Sequence, residues 1–472
     1  MSNYYYYRSS QRGLGRIRRR RRREPRFPFL ILLLLLILIA AILVLGRNTG
    51  LFVPGRATAS DASESSAEET GSLPEETTRS AAEEILRRAD RLAAQYDYDA
   101  ASALIESDAS AASSDAGKAA LARYAEAKEG LVPQKISDIP HVFFHTLIID
   151  TSKAFDGDSR ADGYNDVMTT KSEFLKIMES MYERGFVLVS LHDIAHEVDD
   201  TESGGKKMAA GEILLPEGKK PFVLSQDDVC YYEYMEGDGF AKDLIIDTDG
   251  RIRNEMVMDD GTVSVGSYDV VPLLDDFVEE HPDFSYRGAK GCLAVTGYNG
   301  VFGYRTDTDY EGKNPNIEQD RETVRKLAEA LREDGWEIAS HSWGHRDYAT
   351  ISDEEFEADT QKWQDRVAPL IGGSDIMIYP FGADVGDWHP YTSDNARFER
   401  LYSEGFRYFC NVDSTQNFVQ LGEDYLRQGR RNLDGYRMWQ DKTVKNRTSE
   451  FFDVDEVFDP ARPTPVPDYK GG

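Results

Sequence analysis

Short apolar runs alternate with longer amphipathic segments over most of the chain after residue 130. Two of these runs, Phe222 to Leu224 and the one that ends at His341, are followed directly by polar side chains. The segments between the runs place apolar residues at spacings of three and four, as in 171–184 and 317–333, which predicts helices. Repeated βα units of this kind predict a parallel sheet or a closed barrel over residues 131–458.

A different pattern opens the chain. Residues 29–45 are seventeen consecutive apolar residues, mostly Leu and Ile, and a membrane-spanning helix needs about 17–25. The Arg-rich stretch before them predicts a cytoplasmic N-terminus. We therefore expect a basic cytoplasmic tail over 1–26 and a transmembrane signal anchor over 27–47, with the rest of the chain outside the cell. A cleaved signal peptide fits less well, because the apolar run is long and no small-x-small cleavage site follows it.

Three further segments lack the βα pattern. Residues 48–77 are rich in Gly, Ser, Ala, Thr and Glu without any apolar period, which predicts a disordered linker. Residues 78–130 show short apolar stripes at helical spacing and predict a small helical stalk, which would act as a spacer or contact a protein partner. The Pro- and Gly-rich end, 459–472, predicts a disordered tail.

The charge is distributed very unevenly along the 472 residues. Residues 1–47 contain eleven Arg and one Glu, a formal charge of +10, so the remainder carries −39 of a net charge of −29. Such an acidic body would repel phosphates, which argues against a nucleic-acid-binding protein and against binding of the main domain to anionic lipid. The six consecutive Arg of the N-terminal stretch would suit a nucleic-acid-binding arm, but the apolar run that follows them favours the membrane anchor.

Two polar motifs follow the predicted strands. Asp227 and Asp228 come after one strand, and His341 and His345 follow another. The carboxyl ends of strands are where α/β barrels and sheets build their sites. Two imidazoles and one carboxylate suffice for a catalytic Zn²⁺ site with an open position. A lone His-x-x-x-His is ordinarily surface, and a zincin helix would need Glu where Ser342 stands, so the Asp pair on a second strand is what favours a ligand set.

These motifs and a third one, in this order, resemble the polysaccharide deacetylases (family 4 carbohydrate esterases). The segments that carry the resemblance are Ser225-Gln226-Asp227-Asp228-Val229, His341-Ser342-Trp343-Gly344-His345 and Tyr379-Pro380-Phe381-Gly382. The usual family forms are Thr-Phe-Asp-Asp-Gly, His-Ser/Thr-x-x-His and Arg-x-Pro-Tyr-Gly. The resemblance covers roughly residues 138–440.

The resemblance implies a fold and a set of roles. The fold is a distorted (β/α) barrel with fewer than eight strands, here preceded by the transmembrane helix and the stalk. A divalent metal, commonly Zn²⁺, would be held by Asp228, His341 and His345, and Asp227 would be the general base. The expected substrate-binding residues are those of the groove wall and one aromatic side chain that could stack on a sugar: Tyr379, Pro380, Phe381, Gly382 and Trp343.

The chain departs from the family pattern at two functional positions. Ile378 stands where the family has the Arg that orients the base, and the late Leu-x-His that supplies the general acid is missing. We expect His145, at the end of the first barrel strand, to take the place of the acid, and His389 is an alternative. Arg430 or Arg431 could replace the missing Arg, although surface charge is the simpler interpretation of both.

The sequence thus predicts a membrane-anchored, metal-dependent hydrolase that removes N-acetyl groups from an extracellular or cell-wall polysaccharide of the N-acetylglucosamine type. Such an enzyme acts on C–N bonds other than peptide bonds. The alternative is a glycan-binding module with the same fold that retains the metal site but has lost turnover, as the two departures would suggest. A scaffold without any metal is the third hypothesis, and it would require the three ligands to lie far apart.

Overall fold

The computed structural model describes residues 80–202 and 204–468. The predicted cytoplasmic tail, membrane anchor and linker, residues 1–77, lie outside this range. In the part of the chain that is described, no helix combines the length and the apolar character that crossing a bilayer requires.

Helices and short strands alternate along the described chain. The helices are α1 (Ala81–Ala94), α2 (Tyr98–Glu106), α3 (Ala109–Ser113), α4 (Asp115–Glu129), α5 (Thr151–Ala154), α6 (Ala161–Val167), α7 (Lys171–Glu183), α8 (Leu191–Ile194), α9 (Val270–Glu280), α10 (Ile317–Glu333), α11 (Asp353–Arg366), α12 (Ala368–Ile371), α13 (Ala396–Ser403), α14 (Gly435–Thr443) and α15 (Val454–Val457). The strands are β1 (Leu131–Pro133), β2 (His141–Phe144), β3 (Phe186–Leu188), β4 (Ala195–Asp199), β5 (Lys206–Ala210), β6 (Leu214–Pro216), β7 (Lys220–Gln226), β8 (Asp243–Ile246), β9 (Ile252–Val257), β10 (Val263–Gly266), β11 (Cys292–Val295), β12 (Glu337–Ser340), β13 (Ile376–Ile378), β14 (Tyr408–Val412), β15 (Phe418–Leu421) and β16 (Leu426–Asn432).

Seven parallel strands close into a barrel. Their order is β11, β12, β13, β14, β16, β2 and β7, and β7 pairs back to β11 to complete the ring. Strand β3 pairs with β7 outside the ring, and β15 pairs antiparallel with β16. The prediction of a distorted (β/α) barrel with fewer than eight strands is therefore confirmed.

The barrel helices form where their sequences favour them. In α7, Thr170 caps the first turn and its partner Glu173 bonds back to the Thr170 backbone, so both ends of a capping box are present. The apolar face of α7, including Phe174 and Ile177, is fully buried against the barrel. Each buried aliphatic or aromatic side chain contributes about 1.5–3 kcal/mol. Several barrel strands are short, continuous apolar runs, as in β11, because both of their faces are covered.

Strand β16 is the barrel strand that the apolar pattern does not reveal. It contains Arg427, Gln428, Gly429, Arg430 and Arg431, and all five are buried. The interpretation of Arg430 and Arg431 as surface charge is wrong, because both side chains are paired inside the domain. The buried Arg side chains of β16 are paired with carboxylates from elsewhere in the chain. Because of these Arg residues, β16 has the amino-acid composition of a surface segment.

The helical segment forms as predicted and packs against the barrel domain. Helices α1 to α4 bury a small core of their own. Tyr96, in the left-handed region at φ +66°, stacks on Tyr286 at 6.4 Å between ring centroids and donates a hydrogen bond to the Asp283 carbonyl. These contacts lie just before β11, at the amino-terminal end of the barrel strands. The helices are thus attached at the end of the barrel opposite to Asp228 and His341.

Two connecting segments also have clear structure. The insertion after β7 forms the antiparallel sheet β8-β9-β10, with turns at Asp247–Gly250 and at Asp259–Gly261. The predicted disorder of the tail is wrong for its first part. Arg462 is buried and donates to both carboxylate oxygens of Glu173, which is itself buried. Residues 469–472 lie outside the described range.

Candidate functional site

Asp228, His341 and His345 meet at the carboxyl-terminal end of the barrel. Each offers one ligand atom, and these three atoms all lie within 4.8 Å of one another. In the described part of the chain this is the one group of three or more His, Cys, Asp and Glu side chains with such geometry. We call these three residues the triad. The third hypothesis, a scaffold whose ligands lie far apart, is excluded by this spacing.

Left-handed backbone turns bring the triad together. Asp228 has φ +59° and His345 has φ +50°, and Ser342 between the two histidines has φ +57°. Few residues adopt this region without a specific reason. The turn after β12 folds the chain so that the two imidazoles lie 5.1 Å apart, centroid to centroid. The two histidines therefore lie on a turn between a strand and a loop, and not on a helix of the zincin type.

Backbone and side-chain hydrogen bonds orient the ligand atoms. The Nδ1 atom of His341 lies 2.7 Å from the carbonyl oxygen of Ile378, which can only accept, so Nδ1 carries the proton and Nε2 is free to bind a metal. Tyr232 donates its hydroxyl to Oδ1 of Asp228 at 2.8 Å. The same Oδ1 atom is 3.6 Å from Nε2 of His345.

The triad fits a divalent metal by its chemistry as well as its spacing. Two imidazole nitrogens and one carboxylate oxygen are the donors that a Zn²⁺-type ion prefers, with bonds of about 2.0–2.2 Å. Burial lowers the pKa of His341 to about 4, which keeps its imidazole neutral. Burial opposes ionisation of Asp228, but the neighbouring His345 and the hydrogen bond donated by Tyr232 contribute to a pKa that is lowered overall. His341 and Asp228 are therefore both held in a form that can bind a metal.

Asp227 lies beside the triad and forms a buried ion pair. The guanidinium of Arg430 donates to both of its carboxylate oxygens, at 2.6 and 2.9 Å. Burial would raise the pKa of Asp227, but the charge of Arg430 outweighs it and holds this pKa well below its usual range. Oδ2 of Asp227 is 3.9 Å from Nε2 of His341. A fixed, ionised carboxylate thus stands next to the candidate metal position.

Comparison with known proteins gives a family for this region. Residues 309–396 match the family model described as polysaccharide deacetylase, and the match includes both histidines of the triad. Residues 309–396 belong to a polysaccharide deacetylase domain. The suspected resemblance is thereby confirmed.

Solved structures give more distant similarities, and curated proteins give none. A Streptococcus pyogenes deacetylase, PplD, in complex with acetate is 12% identical and is matched over 63% of this chain and 93% of its own, with a TM-score of 0.33. A Mycobacterium smegmatis protein assigned provisionally as a polysaccharide deacetylase is 16% identical, with 36% of this chain and 47% of its own covered and a TM-score of 0.22. No curated protein matches this chain.

The Arg that contacts Asp227 comes from a different strand than the resemblance predicts. Ile378, at the position of the family's Arg, is fully buried, and its carbonyl serves His341 instead. Arg430, at the end of β16, makes the contact with Asp227 that the family Arg would make. One feature of the sequence points to Arg430. This residue lies in a segment of strand length, at a place where one more strand is needed to close the barrel.

His145 lies at the carboxyl-terminal end of the barrel strands, directly after β2. Its charge is one of the smaller causes that lower the pKa of both Asp227 and Asp228. Burial raises the pKa of the Asp434 carboxyl group, and His145 is one of the charges that oppose this rise. His389 instead bonds within its own exposed loop, where Nδ1 contacts the carbonyl of Asp387. His145 is therefore the better placed of the two candidates for the general acid.

The predicted groove wall is only partly at the surface. The side chain of Tyr379 is fully buried and bonds to the hydroxyl of Tyr391, so this side chain does not form part of the exposed wall that was predicted. Pro380 is also buried. Phe381, at φ +60°, meets the His345 ring edge-on at 4.5 Å and forms the wall beside the triad.

Gly382 and Trp343 have structural partners of their own. Gly382 has φ +65°, and a Cβ atom there would lie 2.6 Å from Cβ of Val412, so no other residue fits without a shift. The indole N–H of Trp343 donates to Asp307, and the amino group of Lys362 lies 3.8 Å from the ring centroid. Because Lys362 covers its ring, Trp343 is poorly placed to stack on a sugar.

Proposed function

We propose that this protein hydrolyses N-acetyl groups on an extracellular or cell-wall polysaccharide with the help of a divalent metal. The observation that supports this most is the convergence of the triad beside an Asp227 that is locked by Arg430. The polysaccharide deacetylase domain gives the reaction class. N-acetylglucosamine units are the proposed substrate, and Zn²⁺ is the proposed metal.

The triad would hold the metal at the mouth of the barrel. A divalent ion bound there would polarise the acetamide carbonyl and lower the pKa of a water from about 15.7 to about 7. Asp227 then accepts the proton of the attacking water. Because Arg430 keeps Asp227 ionised but also lowers its basicity, the main contribution of this carboxylate is its fixed position rather than its strength as a base.

The leaving amine needs a proton, and His145 is proposed to supply it. It stands at the end of β2, adjacent in the ring to both β7 and β16, which deliver Asp227 and Arg430. A positioned general acid contributes about 10²–10⁴ in rate. His145 in this role would account for turnover without the family's late His.

The place of action is a further part of the proposal. The apolar run at 29–45 and the Arg-rich residues before it support a single-pass anchor with the main domain outside the cell. An anchored enzyme of this kind would meet a polymer close to the membrane. The three buried free cysteines, which form no disulfide, neither support nor oppose this location.

A glycan-binding module without turnover is the competing function. One of its two grounds was the missing Arg, and the contact of Arg430 with Asp227 removes that ground. Its other ground, the absence of the late His, depends on whether His145 delivers the proton.

The test is acetate release by the purified full chain from chitin oligomers and peptidoglycan, together with metal analysis. We expect about one metal per chain and acetate release that a chelator abolishes and added Zn²⁺ restores. Asp227→Asn should reduce kcat by about 10²–10⁴ while the metal stays bound. His145→Ala should lose a similar factor and also lose the basic limb of the pH–rate profile.

The outcomes separate the two functions. Stoichiometric metal with no acetate from any of these glycans would favour the binding module. Absence of bound metal after reconstitution would contradict both. As a control, His389→Ala should retain full activity, because that side chain bonds only within its own loop.

A further inference from the structure

A chain of hydrogen bonds runs through the inside of the barrel behind Asp227. Its side chains come from three strands and are all fully buried: His141 of β2, Ser225 of β7, and Gln428 and Arg430 of β16. Strand β2 lies between β7 and β16 in the ring, and alternate residues of a strand point to the same face. Polar side chains from the three strands therefore meet inside the barrel.

The hydrogen bonds on the far side of His141 determine which of its ring nitrogens carries the proton. The amide nitrogen of Gln428 donates to the carbonyl oxygen of Ile139 at 3.0 Å, so the amide oxygen faces the His141 ring. This oxygen lies 3.1 Å from Nδ1 of His141 and can only accept, so Nδ1 carries a proton. Burial and the charge of Arg430 lower the pKa of His141 well below its ordinary value, which leaves Nε2 unprotonated.

Ser225 connects this histidine to Arg430. Its Oγ atom lies 2.9 Å from Nε2 of His141, which can only accept, so the hydroxyl donates to the ring. The same oxygen accepts a hydrogen bond from Nη1 of Arg430 at 3.1 Å. Because the hydroxyl proton points to His141, a lone pair of the oxygen is available to the guanidinium. His141 thus sets the orientation of the Ser225 hydroxyl.

The guanidinium of Arg430 has few other contacts that could orient it. Its hydrogen bonds go to the carboxylate of Asp227 and to the hydroxyl of Ser225, and its Nε atom has no partner among the described residues. The guanidinium carbon lies over the ring of Phe143, 4.2 Å from the centroid, which leaves rotation in the plane of the guanidinium free. Without Ser225, this rotation would depend on Asp227, the very group that Arg430 has to hold.

We propose that His141 and Ser225 are positioning residues of the reaction, which act through Arg430 on the proposed base. This inference rests on the proposed function, in which Asp227 accepts the proton of the attacking water. Oδ2 of Asp227 lies 3.9 Å from Nε2 of His341, and a rotation of the guanidinium would change this distance. A displacement of about 1 Å can lower the rate about 10²-fold. Both positioning residues are fully buried and touch no substrate, so their effect falls on kcat and not on KM.

The test measures acetate release from chitin oligomers by variants of the purified full chain loaded with Zn²⁺. Ser225→Ala should lower kcat about 10–100-fold, the usual effect of removing a supporting contact, while KM and metal content stay unchanged. His141→Phe lacks both ring nitrogens and should have a similar effect. His141→Gln should retain most of kcat, because its amide oxygen can accept the hydrogen bond of the Ser225 hydroxyl.

Two further measurements separate positioning from a merely structural role. Ser285→Ala removes a fully buried hydroxyl that bonds to the carbonyl of Ala289, before the start of β11, and should leave kcat unchanged. Selective ¹⁵N labelling of histidine gives a readout that needs no activity. At neutral pH the ring of His141, whose signals are assigned by their loss in His141→Gln, should carry its proton on Nδ1.

Several results would overturn the positioning role. Unchanged kcat in Ser225→Ala and His141→Phe, with acetate released by the wild type, would reject it and leave the proposed function intact. An equal fall in Ser285→Ala, or a loss of bound metal in Ser225→Ala, would assign the effect to general destabilisation. A proton on Nε2 of His141 would reverse the chain and reject it as well. If Ser225→Ala does not fold, the two His141 variants decide. A wild type that releases no acetate contradicts the proposed function itself, and the positioning role with it.

Discussion

Each end of the barrel has a histidine between acidic groups, but the two arrangements differ. At the carboxyl-terminal end, Nε2 of His341 is 3.9 Å from Asp227, and His345 is 3.6 Å from Asp228. At the other end, His192 contacts Glu337 at 2.5 Å and Asp375 at 3.0 Å. The side chains at the carboxyl-terminal end leave a space between their donor atoms. At the other end, His192 makes direct hydrogen bonds to both carboxylates.

The protonation of the histidines follows this difference. Burial lowers the pKa of His341 to about 4, so its ring stays neutral. Burial also tends to lower the pKa of His192, but its hydrogen bonds to Asp375 and Glu337 raise it to about 10. The same residue types thus make a potential metal site where the histidine is deeply buried and the contacts are open. They make an ion pair where the histidine is half exposed and the contacts are short.

The largest effect is expected when one histidine is removed from each end of the barrel. His341→Ala should lose the bound metal and reduce acetate release by more than about 100-fold, beyond the 10–100-fold cost of losing only a supporting contact. His192→Ala should retain metal and activity. Metal content and acetate release of the two purified variants provide the measurement, and equal effects would contradict the assignment of the two ends.

The second prediction concerns the buried pair of Arg430 and Asp227 at the site end. Arg430→Gln should lower the free energy of unfolding by about 3–5 kcal/mol, because it leaves the buried Asp227 carboxylate without a compensating charge. The double variant Arg430→Gln/Asp227→Asn should recover most of this loss, since the uncompensated charge is then gone. Denaturant unfolding measures both; a double variant as unstable as the single one would show that Arg430 acts through packing.

The third prediction sharpens the account of the triad. Tyr232→Phe removes the hydroxyl that bonds to Asp228 and should weaken metal affinity about 10–100-fold. Its neighbour offers a matched control: Tyr231→Phe removes a hydroxyl bonded to Asn254, away from the triad, and should leave the affinity unchanged. Competition with a chelating dye measures the two affinities. A loss of equal size in both variants would point to a general effect of the loop.

The smallest expected effect lies at the opposite end. The folded pKa of His192, about 10, is above its ordinary value of 6.5. The ion pairs of His192 therefore stabilise the fold fully below about pH 6.5 and lose this contribution as the pH rises through about 10. The difference in Tm between wild type and His192→Gln should shrink over this range. A difference that stays constant with pH would mean that His192 is not charged in the folded protein.

Local sequence patterns were sufficient for most of the barrel and for the triad. The amphipathic spacing predicted α10 with the bounds that the structure has, and it predicted α7 to within one residue. Asp228 and His341 were found because each follows a short apolar strand at once, and parallel strands bring their carboxyl ends to one edge. These predictions rest on local patterns, namely the periodicity of apolar residues in helices and strands.

The errors have one cause, which is that burial of polar groups depends on distant partners. Asp227 and Arg430 are 203 positions apart, and nothing near Arg430 in the chain indicates a buried carboxylate. Arg462 and Glu173, 289 positions apart, tie down the tail that composition predicts to be disordered. Tyr379 directly follows a strand, as a site residue would. Its hydroxyl is nevertheless hydrogen-bonded to the hydroxyl of Tyr391 in the core.

The sequence by itself determined the order of the βα units, the family resemblance and the three candidate metal ligands. It could do so because these features are written in neighbouring residues. Only the tertiary structure decided which Arg contacts Asp227 and which of the predicted site residues are buried. Those outcomes depend on which strands become neighbours when the barrel closes, and closure brings together residues that are far apart along the chain.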